Sequence, residues 1–98
     1  MTSETETLLQ RLLSSEVKTD LLTLFHANPG LVDTPSGVAV RIGRTGAEVA
    51  DDIEDFVDLG LLTKRPLGRA RLEVVQLDRA RDRQIQASLE RHFSGLRS

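Results

Sequence analysis

Few side chains in this chain have the chemistry of a catalyst. The candidate bases are His26 and His92, and the candidate nucleophiles are Ser14, Ser15 and Ser36. The two histidines are far apart in sequence, each near the end of a helical pattern. His26 reads as a helix C-terminal cation or a packing residue rather than a metal ligand. None of the serines has a neighbouring base in a recognisable nucleophile setting. The pair Asp51/Asp52 falls on an open helix face rather than in a cleft, which argues against general acid–base work. The run GRTGAE at 43–48 lacks the lysine and the spacing of a phosphate loop, and the spacing of the acids matches no calcium loop. With no cysteine there is no disulfide, thiolate metal site or sulfur nucleophile. The expectation is a chain that is not an enzyme and uses no cofactor and no metal.

The charged residues offer a different chemistry, recognition of a charged partner. Net charge is only −2, but residues 48–58 hold six of the fifteen acids and no base: Glu48, Asp51, Asp52, Glu54, Asp55 and Asp58. The rest of the chain then carries nine acids against thirteen bases. Seven of those bases fall in residues 64–83, among only three acids. The molecule is expected to have a negative and a positive face. Arg44 beside a helix start, with Arg41, Lys64, Arg65, Arg69 and Arg71, has the charge to neutralise phosphates. The acids act against this. A carboxylate can accept from a cytosine amine, but each one brought near a phosphate costs on the order of 1 kcal/mol or more. Duplex DNA therefore competes with a protein partner that would use Glu48, Asp51, Asp52 and Asp55.

These residues need elements to position them. Ser3-Glu4-Thr5-Glu6 has the form of a capping box, and Leu8, Leu9, Leu12 and Leu13 follow on one helical stripe, giving a helix over 4–13. Ser14-Ser15 interrupts it. Residues 16–27 form the next helix, with Val17, Leu21, Leu24 and Phe25 on one face, and Asn28-Pro29-Gly30 stops it. Leu31-Val32-Asp33 is long enough only for an edge strand. Thr34 and Pro35 supply the N-cap and first position of a short helix that buries Val38 and Ile42, despite Gly37, and ends at Gly43. Thr45 to Glu48 is a second capping box. It opens a helix with Val49, Ile53, Phe56, Val57 and Leu59 inside, the acids on the opposite face and Gly60 as terminator. Residues 61–65 and 70–77 read as a hairpin across Pro66-Leu67-Gly68, with Ala70, Leu72 and Val74 alternating. Val75 and Leu77 fall in the other phase, so the strand is either buried on both sides at its end or shifted by a bulge. Asp78 caps a last helix, 78–95, with Ile85, Leu89, His92, Phe93 and Leu96 on one stripe.

The order of helix, Pro-bounded loop, helix, Gly turn, capped helix, "DFVDLGLLTKR", turn and strand resembles the winged helix-turn-helix transcription regulators. The resemblance covers roughly residues 14–77 and includes "LLSSEVKTDLLTLFHANPG", which is similar to their first core helix. It implies an α+β, mostly helical fold: one winged-helix domain, core 15–77, with an added helix at each end. It implies that Arg44, Thr45, Gly46, Ala47, Glu48, Asp51 and Asp52 face the major groove. It also implies that Arg65, Pro66, Leu67, Gly68 and Arg69 form the wing tip near phosphate or minor groove. The acidic surface of the second helix departs from the family pattern. Winged-helix domains retooled for protein contacts are a known family outcome, so the resemblance permits both partners.

Size and composition agree with one soluble domain. The chain has 98 residues, and its only aromatics are three phenylalanines, so the core is built from Leu, Val and Ile. No apolar run reaches the ~20 residues of a membrane span, and the acidic start lacks the basic opening of a signal peptide. A cytoplasmic protein without a membrane partner is expected. The terminal stripes, Leu8 and Leu12 with Ile85, Leu89 and Phe93, would bury apolar surface either on each other or across a two-fold axis. A homodimer is the expectation.

Overall fold

The structure, a computed structural model, describes residues 4–69 and 72–97, the last two by backbone alone. Five helices and three strands follow in the order α1 (Glu4–Leu12), α2 (Glu16–Ala27), β1 (Val32–Asp33), α3 (Pro35–Arg41), α4 (Gly46–Asp58), β2 (Leu62–Pro66), β3 (Glu73–Leu77) and α5 (Arg79–Arg97). The fold is α+β and mostly helical, with one antiparallel sheet in the order β1-β3-β2. Among the described residues no helix is long and apolar enough to cross a membrane.

The helix boundaries have local causes. Ser15 breaks the α1–α2 run by turning into extended backbone, where its hydroxyl accepts from the Lys18 amide at 3.1 Å. Thr34 does the same for α3 by accepting from Gly37 N at 3.1 Å. Thr45 and Glu48 form the reciprocal capping box of α4. Gly60, at φ +77°, takes the left-handed position just past α4 and releases the chain into β2. Asp78 Oδ1 accepts from Arg81 N at 2.9 Å and starts α5. The capping box expected at Ser3 lies outside the described residues.

The sheet resolves the two phases of the returning strand. Pairing of β2 with β3 runs without interruption from Leu62↔Leu77 to Pro66↔Glu73. There is no bulge; instead Val74, Val75 and Leu77 are all buried, so the strand is covered on both faces. The expected alternation from Ala70 is corrected at its near end. Leu72 is exposed and precedes the strand, while Ala70 falls outside the described residues. Val32 and Asp33 pair with Gln76 and Val75, the edge strand expected of that short apolar segment.

One core joins these elements. Leu21 and Phe25 of α2, Val38 and Ala39 of α3, Val49, Ile53 and Phe56 of α4, Leu61 and Leu62, Val75, and Ile85 of α5 are all buried together. Ile42, expected inside, only packs against its edge; Ala39 takes the second buried place on α3. Gly37 is explained by its neighbour. A Cβ there would run into the Asp33 carboxylate, which accepts from Thr34 N at 2.7 Å and from Arg41 Nε at 3.3 Å. Gly37→Ala is therefore expected to destabilise the domain by about 1–3 kcal/mol, although alanine is the better helix former. Urea unfolding checks it, and the sign reverses in an Asp33→Ala background if the carboxylate is the obstacle.

Candidate functional site

The surface with a chemistry of recognition is built from α4, the turn before it and the β2–β3 hairpin. The sequence places six carboxylates on α4, and the structure divides them. Glu48 is spent on the capping box, its carboxylate accepting from Thr45 N at 3.2 Å. Glu54 accepts from Lys64 of β2, and this hydrogen bond raises the Lys64 ammonium above its ordinary pKa. Asp52 accepts from the Ser15 hydroxyl at 2.9 Å, and Asp55 from Lys18 Nζ at 2.8 Å. Asp51 and Asp58 alone of the six are exposed with no hydrogen-bond or ion-pair partner among the described residues.

Asp52 and Asp55 correct the expectation that all the acids point away from the protein. They turn toward α2, where Lys18 is only 6% exposed. The Lys18 ammonium donates to Ser14 Oγ at 2.8 Å and lies 3.8 Å from Asp52. Its bond and charge hold the Asp55 carboxyl below the usual carboxylate range. Sequence reasoning misses this buried lysine, although a signal is present. Lys18, Leu21 and Phe25 fall at helical spacing, so the lysine sits on the buried stripe of α2.

The bases divide in the same way. Arg44 reaches back to Asp20 of α2 at 3.2 Å and is largely covered, its Nε buried without a hydrogen-bond partner among the described residues. Lys64 is held between Glu54 and Glu73, and Arg41 by Asp33. Arg81, which nothing in the sequence marks, donates from Nε to the carbonyl of Leu59 at 3.0 Å and so completes the end of α4. Arg65 and Arg69 differ from all of these. Both are exposed on the hairpin and have no acidic partner among the described residues. Arg71 lies outside the described residues.

The first turn of α4 carries one acid, the capping Glu48, among small residues. Gly46, Ala47 and Ala50 precede Asp51, and Gly46 lies so close to Ser36 of α3 that a Cβ would crowd the serine hydroxyl. Gly43, at φ +71°, makes the turn that brings α3 and α4 together. Thr45, exposed at this corner, is occupied in capping. At the hairpin apex Leu67 N donates to Leu72 O at 2.9 Å, and Gly68 adopts φ +58°. Leu67 and Leu72 are both exposed there, beside Arg69.

His26 joins a second, separate cluster. Its Nε2 lies 2.9 Å from Asp82 Oδ1, and Gln86 donates to the other oxygen of Asp82 at 2.9 Å. The contact ties the end of α2 to α5 and is the polar neighbour of an apolar groove. His92 makes an edge contact with Phe93, the ring centres 5.6 Å apart.

The expected interface stripes are partly used up inside the chain. Leu12 and Ile85 are buried in its own core, and Leu8 and Leu89 pack against that core. Phe93 remains exposed. Comparison with known proteins found no match: no family model fits the chain, and no curated protein or solved structure matches it.

Proposed function

We propose that the chain is a small winged helix-turn-helix protein that binds duplex DNA, a transcriptional regulator in which the hairpin leads as the wing. The observation that carries this reading is the free state of Arg65 and Arg69. They are the exposed guanidinium groups on the hairpin that no carboxylate of the described residues neutralises. Phosphate neutralisation supplies most of the sequence-independent affinity for DNA, so free guanidinium groups are what such binding requires.

The charge on α4 is less of an obstacle than its composition suggests. Four of its six acids have internal partners, and its first turns expose Ala47 and Ala50 beside the capping Glu48. Docking by that end keeps Asp58, at the far end of the helix, away from the DNA backbone and leaves Asp51, one turn past Ala47, as the unengaged acid nearest to it. Arg44 and Lys64 take a smaller part than the sequence suggests, because each would have to leave an acid to meet a phosphate. The competing reading, a protein-binding face of Glu48, Asp51, Asp52 and Asp55, is disfavoured because only Asp51 among them is unengaged.

The test is a titration of labelled duplex DNA by anisotropy over a salt series. Wild type is expected to lose affinity steeply as salt rises. Arg65→Ala and Arg69→Ala are each expected to lower the slope of log K against log salt by about one. Absence of binding at low salt, or slopes unchanged in both variants, would overturn the reading.

A further inference from the structure

We propose that the outer face of α5 is a self-recognition surface that pairs antiparallel with α5 of a second copy of this chain. The inward face of the helix is accounted for: Asp82 and Ile85 are buried, and Leu89 packs on the core. The outward face carries Arg79, Gln86 and Phe93 at seven-residue steps, with Arg83 and Glu90 beside them at the same step. Seven residues nearly complete two helical turns, so these five form one stripe along the helix. All five are exposed, and Arg79, Arg83 and Glu90 have no ion-pair partner among the described residues.

The stripe complements itself in one direction only. In an antiparallel pair centred on Gln86, Arg83 meets the partner's Glu90 and Glu90 meets the partner's Arg83. Arg79 meets the ring of the partner's Phe93, a cation over an aromatic face, again twice. Two-fold symmetry requires this reciprocity. A parallel pair would set arginine on arginine and glutamate on glutamate, which like-charge repulsion forbids.

An apolar surface adjoins the stripe. Leu9 and Leu13 of α1, Leu22 of α2, and Leu89 and Phe93 of α5 border an open groove of about 250 Å³. Leu13 is 53% and Phe93 47% exposed at its mouth. A second α5 lying across that mouth removes both from water. The surface thus differs from the one the sequence stripes suggest, since Leu12 and Ile85 belong to the chain's own core.

Sedimentation equilibrium over a concentration series tests the pairing without reference to DNA. Wild type is expected at twice the 10.8 kDa of one chain. Arg83→Glu and Glu90→Arg, both at exposed positions, are each expected to weaken association by about tenfold or more. The double variant, with the charges exchanged, is expected to recover it. A wild type that stays monomeric overturns the proposal, leaving the groove for a different occupant. So does a dimer indifferent to both single reversals, or a double variant no tighter than the singles. Circular dichroism of each variant separates lost association from lost folding.

Discussion

Phe56→Ala is expected to destabilise the domain by about 3–5 kcal/mol, a larger loss than either Gly37→Ala or Lys18→Met brings. The ring is 1% exposed and sits on the inner face of α4. That helix packs on α2, α3 and β2, so its inner side chains are where the helical layer and the sheet share a core. Of the three phenylalanines only Phe25 and Phe56 are interior, and the neighbours are mostly Leu, Val and Ile that cannot expand into a ring-sized hole. Domains of this size have roughly 5–15 kcal/mol in total, so the loss takes up much of the stability. Urea unfolding at neutral pH measures it, with Phe56→Leu as the control that keeps more of the volume. A loss for Phe56→Ala under about 1 kcal/mol would mean that α4 is not the element the core is built on.

Legibility from sequence follows the range of the forces involved. The helix ends rest on contacts within four residues: Ser15 or Thr45 to an amide three positions on, Gly60 in a backbone region that other residues avoid. Such signals are local, and the boundaries of α2, α3 and α4 can be read directly. The buried face of α4 follows from its period, whereas β3 does not alternate: it is covered on both faces at its end, one of the two arrangements its phases allow. The charge pairing is not legible in the same way. Lys18 meets Asp55 across 37 positions, Arg44 meets Asp20 across 24 and His26 meets Asp82 across 56. No periodicity links such residues; only the packing of α2 against α4 and α5 brings them together. Composition therefore overstates the free charge of α4. It likewise cannot distinguish Arg65 and Arg69 from Arg44 and Lys64, because being unpaired is a property of the folded surroundings.

Lys18→Met is expected to lower stability at neutral pH, with a size on the order of a third of the Phe56→Ala effect. Methionine keeps the apolar stem on the buried stripe and removes the ammonium, so the loss reports the charge and its hydrogen bonds rather than a cavity. Asp52 and Asp55 would be left facing a buried apolar tip, but Asp55 is 51% exposed and rehydrates, which limits the loss. The pH dependence separates this cause from a packing defect. Hydrogen bonding and charge from Lys18 lower the carboxyl of Asp55 in the folded protein relative to the unfolded chain. Its contribution is therefore present above the unfolded value near pH 4 and is lost as pH falls through the lower, folded value. Wild type and Lys18→Met are thus expected to differ most above the unfolded value near pH 4 and to converge as the solution is acidified past the lower, folded value. Denaturant unfolding of both proteins over that range provides the comparison. A gap that stays constant from neutral to acid pH would assign the loss to packing of the stem, and would remove the reason for treating Asp55 as a neutralised acid on α4.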